Sequence, residues 1–166
     1  MRRGSLVLFG SALALLFTVG RAQAKCDPVA DAGTISAARA FVATTCNANP
    51  TTACATATNH GTYVKCSAQA LKTFFANNPT DNKTCKGQIQ KCAAKSNCGK
   101  PNFVTCCKTN AKGITKCSVP KDAAHCTAPH NGHACVSSFA SCCDACTASG
   151  CASPSGAFID GLNVGF

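Results

Sequence analysis

Three segments between residues 25 and 98 repeat apolar positions among polar ones at intervals of three and four, which is the spacing of one face of an α-helix. The first face consists of Ile35, Ala38, Val42 and Cys46. The second consists of Tyr63, Cys66, Ala70 and Phe74. The third consists of Cys85, Ile89, Cys92 and Ala93. Because every face includes cysteine, the pattern predicts three helices that disulfides join to one another.

Residues that cap or break helices predict where these three helices begin and end. The first begins at Asp27-Pro28, as N-cap and first helical residue, or at Thr34. The second is expected to end before Pro79, since proline cannot continue a helix. The third is expected to begin after a cap at Asp81 or Asn82 and to end near Gly99.

After residue 98 the helical spacing gives way to short strand-like segments. Residues 103–108 and 114–119 have β-forming compositions, and the connection between them ends in Gly113, whose missing Cβ permits positive φ. A β-hairpin is therefore expected, followed by loops that Pro120 and Pro129 interrupt. The predicted fold class is a small disulfide-rich protein with an α-helical N-terminal half of about three helices, followed by a β-hairpin and Cys-rich loops.

The first 24 residues have the pattern of a secretory signal peptide. Arg2 and Arg3 precede an apolar stretch over residues 6–17, and Ala22-Gln23-Ala24 has the small side chains that signal peptidase requires. Cleavage is expected after Ala24, giving a secreted or periplasmic protein. The apolar stretch is too short to span a bilayer and no later stretch approaches that length, so no transmembrane segment is expected.

All 16 cysteines lie after residue 24, and their even number predicts eight disulfides in an oxidising compartment. Six cysteines lie before residue 97 and ten lie after it, which favours a boundary there. The expected organisation is a signal peptide (1–24), a disulfide-stapled helical region (25–97), a Cys-rich hairpin and knot-like region (98–151) and a C-terminal tail (152–166).

The last six cysteines follow the spacing Cys126-x8-Cys135-x6-Cys142-Cys143-x2-Cys146-x4-Cys151. This order, with one adjacent pair in the middle, resembles the framework of inhibitor cystine knots, or knottins. The resemblance implies the bonds Cys126–Cys142, Cys135–Cys146 and Cys143–Cys151, and a role in channel block, protease inhibition or stability. The six cysteines from Cys92 to Cys126 fit the same order.

Residues 82–121 contain nine lysines and no acidic residue, whereas residues 122–166 carry three aspartates and no lysine or arginine. The candidate anion-binding residues are Lys83, Lys86, Lys91, Lys95, Lys100, Lys108, Lys112, Lys116 and Lys121. Such a block favours an anionic polysaccharide or lipid surface as partner, or serves only solubility. Sequence-specific nucleic-acid binding is not expected, because Arg39 is the one arginine after residue 24 and Phe103 is the one aromatic residue of the block.

Histidine and cysteine crowd together between residues 125 and 135. The candidate metal ligands are His125, His130 and His133, since imidazole binds Zn²⁺, Cu²⁺ and Ni²⁺. The alternative is that they are solvated loop histidines, and the nearby Cys126 and Cys135 are expected to be oxidised. The Cys143-x2-Cys146 pair is interpreted as two structural half-cystines rather than as a redox dithiol. No cofactor is expected.

The chain lacks the short motifs of hydrolases, zinc proteases, P-loop enzymes and dinucleotide-binding enzymes. This absence favours a non-catalytic secreted protein with a binding or structural role, acting through its lysines. Two alternatives stay open at this point. One is a knottin-like inhibitor or toxin-type module, and the other is a secreted enzyme with an unrecognised site.

Full reduction is predicted to unfold the protein, because the part of the chain after residue 24 contains two Leu, four Ile, seven Val, seven Phe and no Trp. Each disulfide contributes roughly 2–4 kcal/mol, and several together exceed the ~5–15 kcal/mol net stability of a typical domain. Far-UV circular dichroism and protease digestion before and after reduction measure the effect. A reduced sample that kept both its spectrum and its protease resistance would contradict this prediction.

Overall fold

The computed structural model describes residues 25–153, so the signal peptide predicted at 1–24 and most of the tail predicted at 152–166 lie outside the described residues. The helices are α1 (Ala32–Asn47), α2 (His60–Asn77), α3 (Lys86–Ala94) and the one-turn α4 (Cys142–Ala145). The strands are β1 (Thr105–Thr109), β2 (Thr115–Ser118), β3 (His133–Ser137), β4 (Cys146–Thr147) and β5 (Gly150–Cys151). This small, cysteine-rich architecture confirms the predicted fold class. No helix between residues 25 and 153 combines the length and apolar character needed to cross a bilayer.

Helix α1 buries the predicted face of Ile35, Ala38, Val42 and Cys46, although it begins at neither predicted position. Its N-cap is Asp31. Asp27 instead organises the turn before the helix, because its carboxylate accepts hydrogen bonds from the backbone N–H groups of Val29 and Ala30. A side chain that satisfies early N–H groups thus marks the entry turn rather than the helix itself.

Helices α2 and α3 also lie where the apolar spacing placed them. Asn59 caps α2 by accepting from the backbone N–H of Thr62, and the helix ends before Pro79 as predicted. Helix α3 follows a 3-10 turn, Lys83–Cys85, that Asn82 caps. The expected end near Gly99 is wrong, since α3 ends at Ala94.

The chain leaves α3 early because the next residues pair with the segment before α4. The Asn97 N–H donates to the Ala140 carbonyl at 2.9 Å, and the Cys142 N–H donates to the Lys95 carbonyl at 2.9 Å. Gly99 then turns with φ of 66°. A Cβ at this position would lie 2.6 Å from the backbone of Asn59, so the close approach to the start of α2 requires glycine.

The hydrophobic core lies where α1, α2 and α3 meet. Leu71 is fully buried in it, and Phe74 packs against Phe41 and Phe75 with ring centroids 5.8 and 5.2 Å apart. The buried members of this core are Ile35, Ala38, Val42, Cys46, Ala70, Leu71, Phe74, Phe75, Cys85 and Ile89. Two disulfides close the same region, Cys26–Cys85 and Cys46–Cys66. The core is small, and disulfides form part of its interior.

The second half is built on a three-stranded antiparallel sheet with strand order β2-β1-β3. Strands β1 and β2 form the predicted hairpin, and Gly113 adopts the expected positive φ of 74°. Strand β3 was expected to be loop, but it pairs along the other edge of β1. Cys107 lies in register with Cys117 on one side and with Cys135 on the other. The sheet therefore carries a row of three cysteines across one face.

All 16 cysteines form disulfides, which confirms the predicted number of eight. The pairing implied by the knottin resemblance is wrong. The structure does not form Cys126–Cys142, Cys135–Cys146 or Cys143–Cys151; its bonds for these cysteines are Cys92–Cys143, Cys106–Cys126, Cys107–Cys146, Cys117–Cys142 and Cys135–Cys151. The reason lies in α4: consecutive helical side chains diverge by about 100°, so adjacent cysteines there reach β2 and α3 respectively.

The proposed boundary near residue 97 does not separate two independently closed sets of disulfides. Cys54–Cys98 and Cys92–Cys143 both cross it. The even count on each side therefore arises because two cysteines of the first region pair with two of the second. The Arg39 guanidinium of α1 also donates to the Asp144 carboxylate of α4, which adds an ion pair to the covalent links.

Leu71→Ala tests whether the helical core contributes stability beyond the disulfides. Removal of this fully buried side chain is expected to lower the free energy of unfolding by about 2–5 kcal/mol, through lost apolar burial and a residual cavity. Urea unfolding under non-reducing conditions measures it. The control is Val29→Ala, which truncates a side chain that is 68% exposed and should change stability by less than about 0.5 kcal/mol. Equal effects of the two variants would show that the disulfides alone set the stability.

Candidate functional site

The nine lysines of the predicted anion-binding block lie on two parts of the structure. Four are on or beside α3: Lys83, Lys86, Lys91 and Lys95. Five are on or beside the hairpin: Lys100, Lys108, Lys112, Lys116 and Lys121. Six of the nine side chains are exposed, and Lys86, Lys100 and Lys108 are half-buried. Disulfides hold both groups of elements, so the ammonium groups project from a covalently fixed frame.

No carboxylate neutralises these lysines within residues 25–153, where every carboxylate oxygen lies farther than 4.0 Å from every lysine ammonium. Most of the aspartates in this range have other partners. Asp122 pairs with His125, and Asp144 pairs with Arg39. The Asp31 carboxylate accepts a hydrogen bond from Asn82. No lysine of the block is therefore held in a direct ion pair within these residues.

Two of the lysines lie directly opposite each other in the hairpin. Lys108 of β1 is in register with Lys116 of β2, so both side chains leave the same face of the sheet with Cβ atoms roughly 5 Å apart. The Lys108 ammonium donates to the His125 carbonyl at 3.5 Å, which holds it near the 3-10 turn Ala123–His125. Like charges at directly opposed positions destabilise a sheet. The β1–β2 register therefore places two positive charges side by side at this position.

Two further lysines are positioned by their surroundings. The Lys100 ammonium lies 5.8 Å from the centroid of the Phe103 ring, within the range of a cation–π interaction. Lys112 lies in the hairpin turn, where its backbone N–H donates to the Asn110 side-chain oxygen at 3.0 Å. The same oxygen accepts from the N–H of Ile114, so one side chain fixes the turn that presents Lys112 to solvent.

The three candidate metal-binding histidines are not brought together in the described part of the chain. Cys106–Cys126 attaches the turn that contains His125 to one face of the sheet. His133 is in register with Thr109 and leaves the opposite face, where its Nε2 lies 3.1 Å from the Ser149 carbonyl. The sheet itself thus separates these two imidazoles. His130 lies exposed in the turn before β3. Among residues 25–153, no group of close metal-ligating atoms includes any of these histidines, so the three do not form the predicted shared site.

Sulfur atoms do cluster on the face of the sheet that carries Cys107, Cys117 and Cys135. The Sγ atoms of Cys107, Cys135 and Cys151 lie within 4.8 Å of one another, as do those of Cys107, Cys117 and Cys146. All of them belong to disulfides, so none is the thiolate that a metal or a redox reaction requires. Cys143 and Cys146, the two ends of the C-x2-C sequence, belong to two different disulfides, which confirms that they are structural half-cystines.

A polar depression that the sequence did not predict lies where α1, α2 and α3 meet the segment around α4. It has a volume of about 140 Å³, and its polar lining consists of Arg39, Tyr63, Ser67, Ser141 and Asp144. Burial raises the pKa of Tyr63 above its ordinary value of 10.0, with Asp144 adding to the rise and Arg39 opposing it. Arg39 and Asp144 neutralise each other, so the depression offers little free charge to a ligand. No local motif reveals it, because the paired residues are 105 positions apart.

The three comparisons with known proteins return no relative: no protein-family model, no curated protein and no solved structure matches this chain. The assignment of a function therefore rests on the residues and the geometry of this chain.

Asp122 is predicted to titrate below its ordinary pKa of 3.8, chiefly because the His125 side chain hydrogen-bonds to its carboxylate. A lowered pKa in the folded state means that this interaction stabilises the fold above about pH 3.8 and is lost as the pH falls through the folded-state value. NMR titration of the aspartate carboxyls measures it. In His125→Ala the pKa of Asp122 should rise, but not fully, since the backbone N–H of residue 125 still donates.

Asp27 serves as the internal control in the same titration. Its pKa is also lowered, but by hydrogen bonds from the backbone N–H groups of Ala30 and Val29, which the His125→Ala change does not touch. An unchanged Asp122 pKa in the variant would contradict the assigned cause.

Proposed function

We propose that this is a secreted, non-catalytic binding protein that presents its lysine block to anionic partners, with acidic polysaccharide and anionic lipid surfaces as the two partner classes. The observation that carries the proposal is the absence of a carboxylate within 4.0 Å of any of the nine lysines among residues 25–153. Because no direct ion pair holds these ammonium groups within the described residues, their charge is available to an external anion.

The disulfide frame supports a binding role. A backbone that disulfides already hold loses little conformational entropy when a partner binds, so the frame lowers the cost of association. Eight disulfides are also consistent with an extracellular or periplasmic protein. We also propose that residues 1–24 act as a signal peptide that directs secretion.

The contacts also support a preference for anionic surfaces over the bases of nucleic acid. Arg39 is the one arginine after residue 24, and Asp144 already occupies its guanidinium. Phe103 is the one aromatic residue of the block, and Lys100 lies over its ring. The groups that would read base edges or stack on bases therefore have partners within the protein, whereas no lysine of the block is in an ion pair among residues 25–153.

Binding to immobilised heparin and to vesicles that contain phosphatidylglycerol tests the proposal, each over a series of salt concentrations. We expect retention by at least one of these two anions near physiological salt, with affinity falling as salt rises because the contacts are ionic. The test variants are Lys91→Gln/Lys95→Gln and Lys108→Gln/Lys116→Gln, one pair from each part of the block.

The matched control is Lys65→Gln/Lys72→Gln, which removes the same charge from exposed positions of α2 outside the block. This control should bind more tightly than at least one of the two test variants. Loss of all retention below physiological salt, or equal weakening by all three double variants, would mean that the lysines serve solubility alone.

A further inference from the structure

One face of the three-stranded sheet combines the opposed lysines with exposed aliphatic side chains. In register, Lys108 lies between Lys116 of β2 and Ala134 of β3. Val136 is opposite Cys106, two residues along β1 from Lys108, so it leaves the same face. Ile114 lies just before β2, and its carbonyl accepts from the Asn110 N–H at 3.1 Å, which continues the pairing by one residue; alternation therefore places its side chain on this face as well. We call these five residues the open face.

The two large apolar side chains of the open face are exposed to solvent and do not belong to the hydrophobic core. Ile114 is 53% exposed and Val136 is 45% exposed. Among residues 25–153 the large hydrophobic side chains with high exposure are Val29, Phe103, Ile114 and Val136, so half of them lie on this one face. They flank the lysine pair, with Ile114 just before β2 and Val136 on the edge strand β3.

The two faces of the sheet are covered very differently. Cys107, Cys117 and Cys135 tie one face to the segment from Cys142 to Cys151 through three disulfides. On the other face, the turn joined by Cys106–Cys126 covers Cys106, which is fully buried. Beyond this turn Lys116, Ile114 and Val136 remain exposed. The three disulfides on the opposite face of the sheet therefore fix the strands that carry the open face.

We infer that the open face binds the surface of an anionic lipid bilayer, with Lys108 and Lys116 on headgroup phosphates and with Ile114 and Val136 at the boundary with the acyl chains. Electrostatic attraction together with buried apolar area is what holds a protein at a bilayer interface. A highly charged polysaccharide would use the lysine pair but not the aliphatic side chains. The inference rests on the proposed function and selects one of its two partner classes.

Vesicle flotation with the full mature protein tests the inference. The probes are vesicles of phosphatidylcholine with phosphatidylglycerol, and vesicles of phosphatidylcholine alone. Each lysine near an anionic surface contributes a factor of about five to the partition constant. Lys108→Gln/Lys116→Gln should therefore reduce partitioning onto the anionic vesicles about 30-fold. Lys91→Gln/Lys95→Gln, which removes equal charge from α3, should reduce it less than about 3-fold.

The apolar contribution is tested by Ile114→Ser/Val136→Thr. This variant should bind anionic vesicles several-fold more weakly while its salt-dependent elution from heparin stays unchanged, because it keeps every charge. All altered side chains are exposed or half-buried. An intact mass that shows eight disulfides, with an unchanged far-UV spectrum, verifies that each variant is folded.

Two results would overturn the lipid inference while leaving the proposed function in place. The first is equal weakening by the α3 and open-face lysine variants, which would mean that charge acts without a defined face. The second is vesicle binding that is unaffected by Ile114→Ser/Val136→Thr, with heparin retention lost in Lys108→Gln/Lys116→Gln, which would indicate a polysaccharide. Binding to neither heparin nor anionic vesicles would instead reject the proposed function itself.

Discussion

Four of the eight disulfides end on the three-stranded sheet, and the arrangement of the second half of the chain depends on them. Strands of four or five residues with few large apolar side chains do not bury enough surface to form a stable sheet unaided. The row of Cys107, Cys117 and Cys135 supplies the missing constraint, because it ties each strand to a different point of the C-terminal segment. The same bonds fix the positions of the short helix α4 and of the β4–β5 pair.

The first half combines this covalent constraint with ordinary helix packing. Phe41, Phe74 and Phe75 form a small aromatic cluster, while the buried half-cystines Cys46 and Cys85 complete the interior. Two crossing disulfides and the Arg39–Asp144 pair then join the helices to the sheet. This union matters for the proposed function, since it fixes the lysines of α3 and those of the hairpin on one cross-linked frame.

The sequence was sufficient to predict the features that depend on neighbouring residues. The spacing from Ile35 to Cys46 identified the buried face of α1, and the segment ending in Gly113 identified the hairpin, because periodicity and turn chemistry are local properties. Strand β3 was missed because His133–Ser137 is short and becomes a strand only by pairing with β1. The disulfide pairing was missed for a related reason: the order of cysteines along the chain does not encode which of them the fold brings together.

The same limit applies to the candidate site. The excess of lysine was visible in the sequence, but the opposition of Lys108 and Lys116 depends on the register of the hairpin. Likewise the spacing of His125 and His133 suggested that the two imidazoles share a metal ion, although the sheet lies between them. Charge content is a property of the chain, whereas charge geometry is a property of the strand pairing that the chain adopts.

The crossing disulfides have a consequence for how the chain matures. During synthesis from the N-terminus, Cys54 and Cys92 emerge before their partners Cys98 and Cys143. A nascent chain that ends near residue 97 contains an even number of cysteines, so it is able to close completely by joining Cys54 to Cys92, a bond that the finished protein does not have. Correct maturation then requires either that these two thiols stay open until the C-terminal segment arrives or that thiol–disulfide exchange removes the premature bond. Efficient production therefore depends on delayed oxidation of Cys54 and Cys92 or on isomerase activity that accompanies the oxidant.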